Sequence, residues 1–447
     1  MSLMDIAPRP PMGWNSWDCY GAAVREDEVR ANADFMAAKL KPFGWEYVVV
    51  DIQWYEAGAN SSRYRKYAPL EMDEYSRLVP APNRFPSAAG GAGFRPLADY
   101  VHGLGLKFGI HMMRGVPRQG AHAATPIKGS SATARDIAHP NSICPWNTDM
   151  YGVDAEAEGA QAYYDSVFEL YASWGVDFVK VDDIADSKLY AGPRLAEIGL
   201  IREAIDRCGR PMVLSLSPGP AAPAKGGALM GLANMWRITD DFWDKWEPLE
   251  DMFDRCEAWY PFVGEGRWPD CDMLPLGRIG IRSVDGTLAG GASADRKTRF
   301  TGDEQRTMMS LWSIFRSPLM MGGELRDCDE ATLALLTNPE VLAVGREGSR
   351  PRPVVGRSSA AGKDGSVVWA SEGPEGSTFV ALFNLSGAPR RVSCSLAALG
   401  FPGGRAAKAG GIIVRDLWAR VDLGPAGESL ELELPAHGSA LLRLGKE

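Results

Sequence analysis

The run DFVKVDDI, residues 177 to 184, sets three aspartates among mostly apolar neighbours. A carboxylate in such a run is costly to bury unless it is paired or put to use, so the stretch reads as a strand whose end opens into an acidic site. Side chains alternate along a strand. Val179 and Val181 therefore share one face, Lys180 and Asp182 the other. Asp182, at the C-terminal end, is the candidate to do chemistry. Asp177 sits at the opposite end and reads as a helix-to-strand turn residue, and Asp183 has the wrong parity unless the following loop turns it inward. By the same rule MWRITDDF groups Arg237, Thr239 and Asp241 on one face, with Asp240 on the other. Asp270 and Asp272 share a face in WPDCDML, with Met273 at the junction to the loop, and Asp51 closes the apolar run YVVVD.

Four strand ends thus bring Asp51, Asp182, Asp241 and Asp272 to one rim, with Lys180 and Arg237 among them. Trp14, Trp17 and Trp54 follow the first two strands and add aromatic surface, although Trp14 reads more readily as a plug of the interior. Hydrolysis of a glycosidic bond uses such a set. One carboxylate attacks the anomeric carbon, a second protonates the leaving oxygen, and an indole stacks on the apolar face of the sugar. The nucleophile must stay ionised, which the Lys180 ammonium favours. The acid must hold its proton, which calls for a drier place or a like charge nearby. Single aspartates at strand ends also serve as helix N-caps, a reading that four at one rim make less economical. Carboxylate-bound metals in barrels usually bring several histidines, and only His111 falls at a strand end, so neither metal nor cofactor is expected.

The elements that must position these residues alternate. Apolar strand candidates at 12–17, 47–51, 106–113, 177–183, 212–217, 235–241, 268–274 and 319–325 are separated by helix-period stretches. The clearest helix carries Tyr163, Val167, Leu170, Tyr171 and Trp174, with Gly175 as its stop. Another runs through EDEVRANADFMAAKL, with acids in its first turn. Eight strands alternating with helices is the count of a (β/α)8 TIM barrel, whose active sites lie at the C-terminal ends of the strands. A doubly wound sheet is the rival, but the Gly-rich phosphate turn it usually carries is absent. We therefore expect a barrel over 1–347 and a small antiparallel β-sandwich over 348–447. In that second region short runs are broken by Gly, Ser and Pro, and Leu430, Leu432 and Leu434 alternate with Glu431 and Glu433.

The chain has 447 residues, 45% hydrophobic and 23% charged, with a formal net charge of −9. That balance, without a Lys/Arg run, argues against a nucleic-acid partner, and no window of about 18 apolar residues exists to span a membrane. The start shows no signal peptide. Seven cysteines, an odd number without CxxC pairing, argue against a zinc site and a disulfide framework, so a cytoplasmic location is the default. The expected partner is a glycoside or oligosaccharide; composition does not give an oligomeric state.

Six motifs then occur in the order of a known family. PPMGWNSWDCYG, EYVVVDIQW, GLKFGIH, WGVDFVKVDD, WRITDD and WPDCDMLPLG, followed by LWSIFRSPLMMGGEL, resemble glycoside hydrolase family 27, the α-galactosidase and α-N-acetylgalactosaminidase family. The resemblance covers about residues 8 to 345 well and the C-terminal region loosely. It implies a barrel with an antiparallel β domain, and retaining hydrolysis with Asp182 as nucleophile and Asp241 as acid/base. It places sugar contacts on Trp17, Asp51, Lys180, Arg237 and Asp272, with Met273 beside them.

Several positions depart from the family pattern. The second of two consecutive acids after strand two is Ile52, an aromatic on strand three is His111, and Ile184 stands where a disulfide cysteine often follows the nucleophile motif. Ser217 replaces a larger acid that reads the 2-hydroxyl, as in the N-acetylgalactosamine members. The segment 114–155 is long and suits a wall or a leaving-group subsite. The expectation is a retaining exo-glycosidase for terminal α-linked D-galactose or N-acetylgalactosamine. β-L-Arabinopyranosidase and isomaltosyl-releasing activity are the alternatives within the family, and a catalytically silent carbohydrate-binding protein is the alternative from another class.

Overall fold

Tyr47 to Val50, four consecutive apolar residues, form a strand buried at every position, as a strand covered on both faces must be. It is the second of eight: β1 (Met12–Asn15), β2 (Tyr47–Val50), β3 (Lys107–Met113), β4 (Phe178–Asp182), β5 (Val213–Leu216), β6 (Met235–Arg237), β7 (Trp268–Asp270) and β8 (Leu319–Met321). The computed structural model describes residues 2–60, 64–186, 194–283, 294–360, 362–401 and 411–446. The eight strands form one sheet in the order β7-β6-β5-β4-β3-β2-β1-β8, with parallel pairing from β8 through β1 to β6. The sheet curls until the segment after β7 meets β8 through a parallel bridge between Leu274 and Met321. This is the (β/α)8 architecture that the alternation of patterns implies.

Close strand approach shows at Gly13 in β1, where a Cβ would lie 2.4 Å from the Tyr47 carbonyl oxygen. The expected helix spans Ala160–Trp174 and ends on Gly175 at φ 86°, the left-handed cap that glycine adopts without strain. Asp177 then ties the base of β4. Its carboxylate accepts from His102 Nε2 (2.7 Å), the Phe108 amide (2.9 Å) and Arg210 (2.5 Å). The acidic-start helix spans Glu26–Phe35. Between β3 and β4, Val116–Pro117, Ala138–Ile143 and Met150–Val153 form a small antiparallel sheet within the long 114–155 segment.

The C-terminal strands are β9 (Ser349–Val355), β10 (Ser366–Glu372), β11 (Thr378–Asn384), β12 (Arg390–Ser395), β13 (Ile412–Asp416), β14 (Val421–Pro425), β15 (Ser429–Leu434) and β16 (Ser439–Lys446). Six form an antiparallel sheet in the order β9-β10-β11-β16-β13-β14, and β12 pairs with β15 as a second sheet. Val368, Val380, Leu382 and Leu442 of the larger sheet share a core with Val392, Leu430 and Leu434 of the smaller one. Glu431 and Glu433 face water, so the period-two pattern is that of a sandwich strand.

By compactness the chain divides into two units, Met1–Asp241 with Asp272–Thr298 and Leu319–Cys328, and Phe242–Cys271 with Arg299–Pro318 and Asp329–Glu447. Within the second, Phe253 packs edge-on against Phe383 at 4.9 Å and Trp246 stacks on His437 at 3.6 Å.

Candidate active site

A cavity of about 270 Å³ opens at the C-terminal ends of the barrel strands. That is slightly below the volume at which sites for drug-sized ligands begin, about 300 Å³, and suits a single small ring. Lys180 and Asp182 from β4 line it, while Val179 and Val181 are buried on the other face. Asp51 and Ile52 line it from the end of β2, Trp17 from the turn after β1, and Asp240 and Asp241 from the segment after β6.

The charges pair differently from the sequence expectation. Lys180 donates to Asp51 Oδ2 at 2.9 Å, and the nearer donor to Asp182 is His111, whose Nε2 lies 3.1 Å from Asp182 Oδ2. An ionised carboxylate only accepts, so His111 Nε2 carries the proton in this contact. Burial pushes the Asp182 carboxyl up, but the His111 hydrogen bond and the Lys180 charge outweigh it and hold it below the usual carboxylate range. Asp51 is opposed by burial in the same way. The Lys180 ammonium and the Ile52 amide (2.9 Å) hold it well below that range, and Asn15 Nδ2 donates at 2.8 Å.

Arg237 lies behind Asp241, 2% exposed, donating to Asp241 Oδ1 at 3.1 Å and pairing with Asp272 Oδ1 at 2.8 Å. The Asp241 side chain is 56% exposed, not in the dry place expected of an acid. Strand parity also fails here. β6 ends at Arg237, the chain bends, and Asp240 reaches the cavity beside Asp241. The same bend requires Gly219, where a Cβ would lie 2.3 Å from the Thr239 carbonyl oxygen.

The remaining expected residues are close to the cavity without lining it. His111 is fully buried behind Asp182, Asp272 is behind Arg237, and Met273 is buried. Ser217 is 1% exposed, and its successors Pro218 and Gly219 line the cavity in its place. Trp14 and Trp54 are core residues, their indole N–H groups bonded to the carbonyls of Gly323 (3.0 Å) and His111 (2.7 Å). Asp183 does reach the lining, at φ 58°, and Arg114 neutralises it at 2.8 Å.

Sequence reasoning named neither Tyr64 nor Trp146, although Trp146 lies in the 114–155 segment expected to supply a wall. Both line the cavity: Tyr64 stacks on Trp17 at 6.2 Å and meets Trp146 at 5.6 Å. Burial, with Asp51, Asp182 and Asp241 around it, pushes the Tyr64 phenol well above its ordinary range, so it remains a hydroxyl donor. For Tyr64 the signal available was an aromatic residue inside the otherwise polar stretch NSSRYRK. No three His, Cys, Asp or Glu among the described residues are placed to hold a metal.

An acidic cavity at barrel strand ends, walled by aromatics, fits what comparison with known proteins finds. A family model described as alpha galactosidase A matches residues 9–156, 149–292 and 297–347, and one for the alpha galactosidase C-terminal beta sandwich domain matches 363–444. The crystal structure of a family 27 β-L-arabinopyranosidase from Geobacillus stearothermophilus is 63% identical, covers 100% of this chain and 98% of its own, and superposes with a TM-score of 0.94. The chain belongs to glycoside hydrolase family 27. A variant of the same Geobacillus enzyme, in complex with arabinose, is 62% identical, with coverage of 100% and 99% and a TM-score of 0.94. Among curated relatives, the α-galactosidase of Cyamopsis tetragonoloba is 27% identical over 97% of this chain and 85% of its own. This family 27 member is therefore a glycoside hydrolase. Its seven cysteines are free thiols, including Cys256 and Cys271 with sulfurs 3.7 Å apart. No helix among the described residues is long and apolar enough to cross a membrane.

Proposed function

We propose that this hydrolase is a retaining exo-glycosidase for terminal galactose-configured pyranosides, with β-L-arabinopyranose as its preferred residue. The observation that carries the sugar preference is Ile52, 1% exposed and lining the cavity next to Asp51. β-L-Arabinopyranose has the ring configuration of α-D-galactose without the hydroxymethyl group. An isoleucine offers that group's hydroxyl no acceptor, and a buried unpaired hydroxyl costs about 1–3 kcal/mol, or about five- to 150-fold in specificity. The similarity to the Geobacillus arabinopyranosidase supports the same reading.

In this mechanism Asp182 attacks the anomeric carbon while Asp241 gives its proton to the leaving oxygen. Asp241 then takes a proton from the water that releases the sugar. The exposure of Asp241 suits the second step, since water must reach it. The Lys180–Asp51 pair presents a fixed donor and acceptor to ring hydroxyls, and Trp17 offers a face for stacking. Free thiols throughout support a reducing, cytoplasmic setting, and the net charge of −9 supports a partner other than nucleic acid.

The test is kcat/KM on 4-nitrophenyl β-L-arabinopyranoside, α-D-galactoside, α-N-acetyl-D-galactosaminide and α-isomaltoside. The arabinopyranoside should lead, and Ile52→Asp should move the preference toward the galactoside. A wild-type preference for any of the other three would overturn the reading.

A further inference from the structure

An exo-acting enzyme with a one-ring cavity must let the rest of its substrate leave past the cavity wall, and Tyr64 and Trp146 are part of that wall. The two segments that supply them carry a second aromatic group. Tyr67, three residues beyond Tyr64, is 73% exposed at φ 59°. The Arg118 guanidinium lies 4.6 Å from the Tyr67 ring and 5.1 Å from the Tyr151 ring. Arg118 Nη1 donates to the carbonyl of Thr148 at 3.0 Å, two residues from Trp146, and the Tyr151 hydroxyl meets His122 Nε2 at 3.1 Å.

We infer that Tyr67, Arg118 and Tyr151 form a platform for the carbohydrate leaving group, outside the cavity and distinct from the site of bond cleavage. An aromatic ring stacks on the apolar face of a sugar, and guanidinium N–H groups donate to hydroxyls. The Tyr67 ring stays open to solvent with the cation held over it, so a ligand can reach both groups. The inference rests on the glycosidase reading but not on which terminal sugar is preferred.

The experiment compares two substrates with the same terminal sugar. A glycosyl fluoride has a one-atom leaving group that cannot reach the platform; a trisaccharide ending in that sugar can. In Tyr67→Ala the ratio of kcat/KM for the trisaccharide to that for the fluoride should fall about three- to tenfold, and Tyr67→Phe should restore it. An unchanged ratio overturns the platform, and so does an equal loss on both substrates accompanied by a lower Tm. Wild-type turnover of the fluoride tests the glycosidase reading separately: its absence sinks that reading and the platform with it, while its presence with an unchanged ratio sinks the platform alone.

Discussion

Replacing His111 with leucine removes the donor to Asp182 and leaves the nearby carbonyl contact with Trp54 to the backbone. A hydrogen bond to a charged group contributes about 1.5–3 kcal/mol, and 1.36 kcal/mol corresponds to one pH unit of proton affinity. Losing it favours the protonated form of Asp182. The acidic limb of the activity profile should therefore move upward by about one to two pH units, because Asp182 must be ionised to attack. The Lys180 charge also favours ionised Asp182 and remains in place, so part of the lowering should persist in the variant. The assay is kcat/KM for an activated aryl glycoside across the acidic range, which reports the free enzyme. Glutamine, which keeps a side-chain N–H, should recover most of the wild-type limb. A folded His111→Leu enzyme with an unmoved acidic limb would refute the assignment of His111 as the positioning donor, or of Asp182 as the titrating group.

Three further outcomes follow from the same geometry. Lys180→Met leaves Asp51 buried without its cation, and breaking such a pair costs about 3–5 kcal/mol. Asp51 is held below its unfolded value in the folded enzyme, so its contribution is present above the usual carboxylate range and lost as pH falls through its folded value. The Tm gap between wild type and Lys180→Met should be wide at neutral pH and narrow below about pH 4; a constant gap would contradict the pairing. Asp241→Ala should cost about 10²- to 10⁴-fold on substrates with poor leaving groups and far less on activated aryl ones, and equal losses on both would remove it as the acid. Gly219→Ala forces a Cβ onto the Thr239 carbonyl, with an expected loss of about 1–3 kcal/mol in a denaturant midpoint, accompanied by lower activity.

Strand content was legible because apolar runs of β-branched residues between Gly and polar stops have few other uses. The position of Asp182 could be read in the same way, since side-chain alternation is strict while a strand lasts. It ceased to be legible where β6 stops at Arg237, four residues before Asp241. Alternation says nothing once the backbone bends, and Asp240 shares the rim for that reason. The partner of Lys180 was equally hidden. Parity puts Lys180 and Asp182 on one face, but which carboxylate the ammonium meets depends on the neighbouring strands, and Asp51 is the one it bonds. Tyr64 and Trp146 come from long loops, whose routes are set by tertiary contacts rather than by any period in the sequence.

The interleaving of the two compact units bears on whether this enzyme can be taken apart. The family models break the chain between 347 and 363, which invites treating the sandwich as a transplantable part. Yet the helices Trp246–Trp259 and Gly302–Phe315 belong to the same compact unit as the sandwich strands. Phe253 leans on Phe383 and Phe315 on Trp369, from opposite sides of that linear break. A chain cut at 347 would strip Phe253 and Phe315 of these partners, and a sandwich moved to another host would arrive without the two rings that pack on Phe383 and Trp369. Recombination between relatives should therefore succeed at boundaries that carry these helices along with the strands. The sandwich strands then travel with the two helices whose rings they hold, not as a separable accessory.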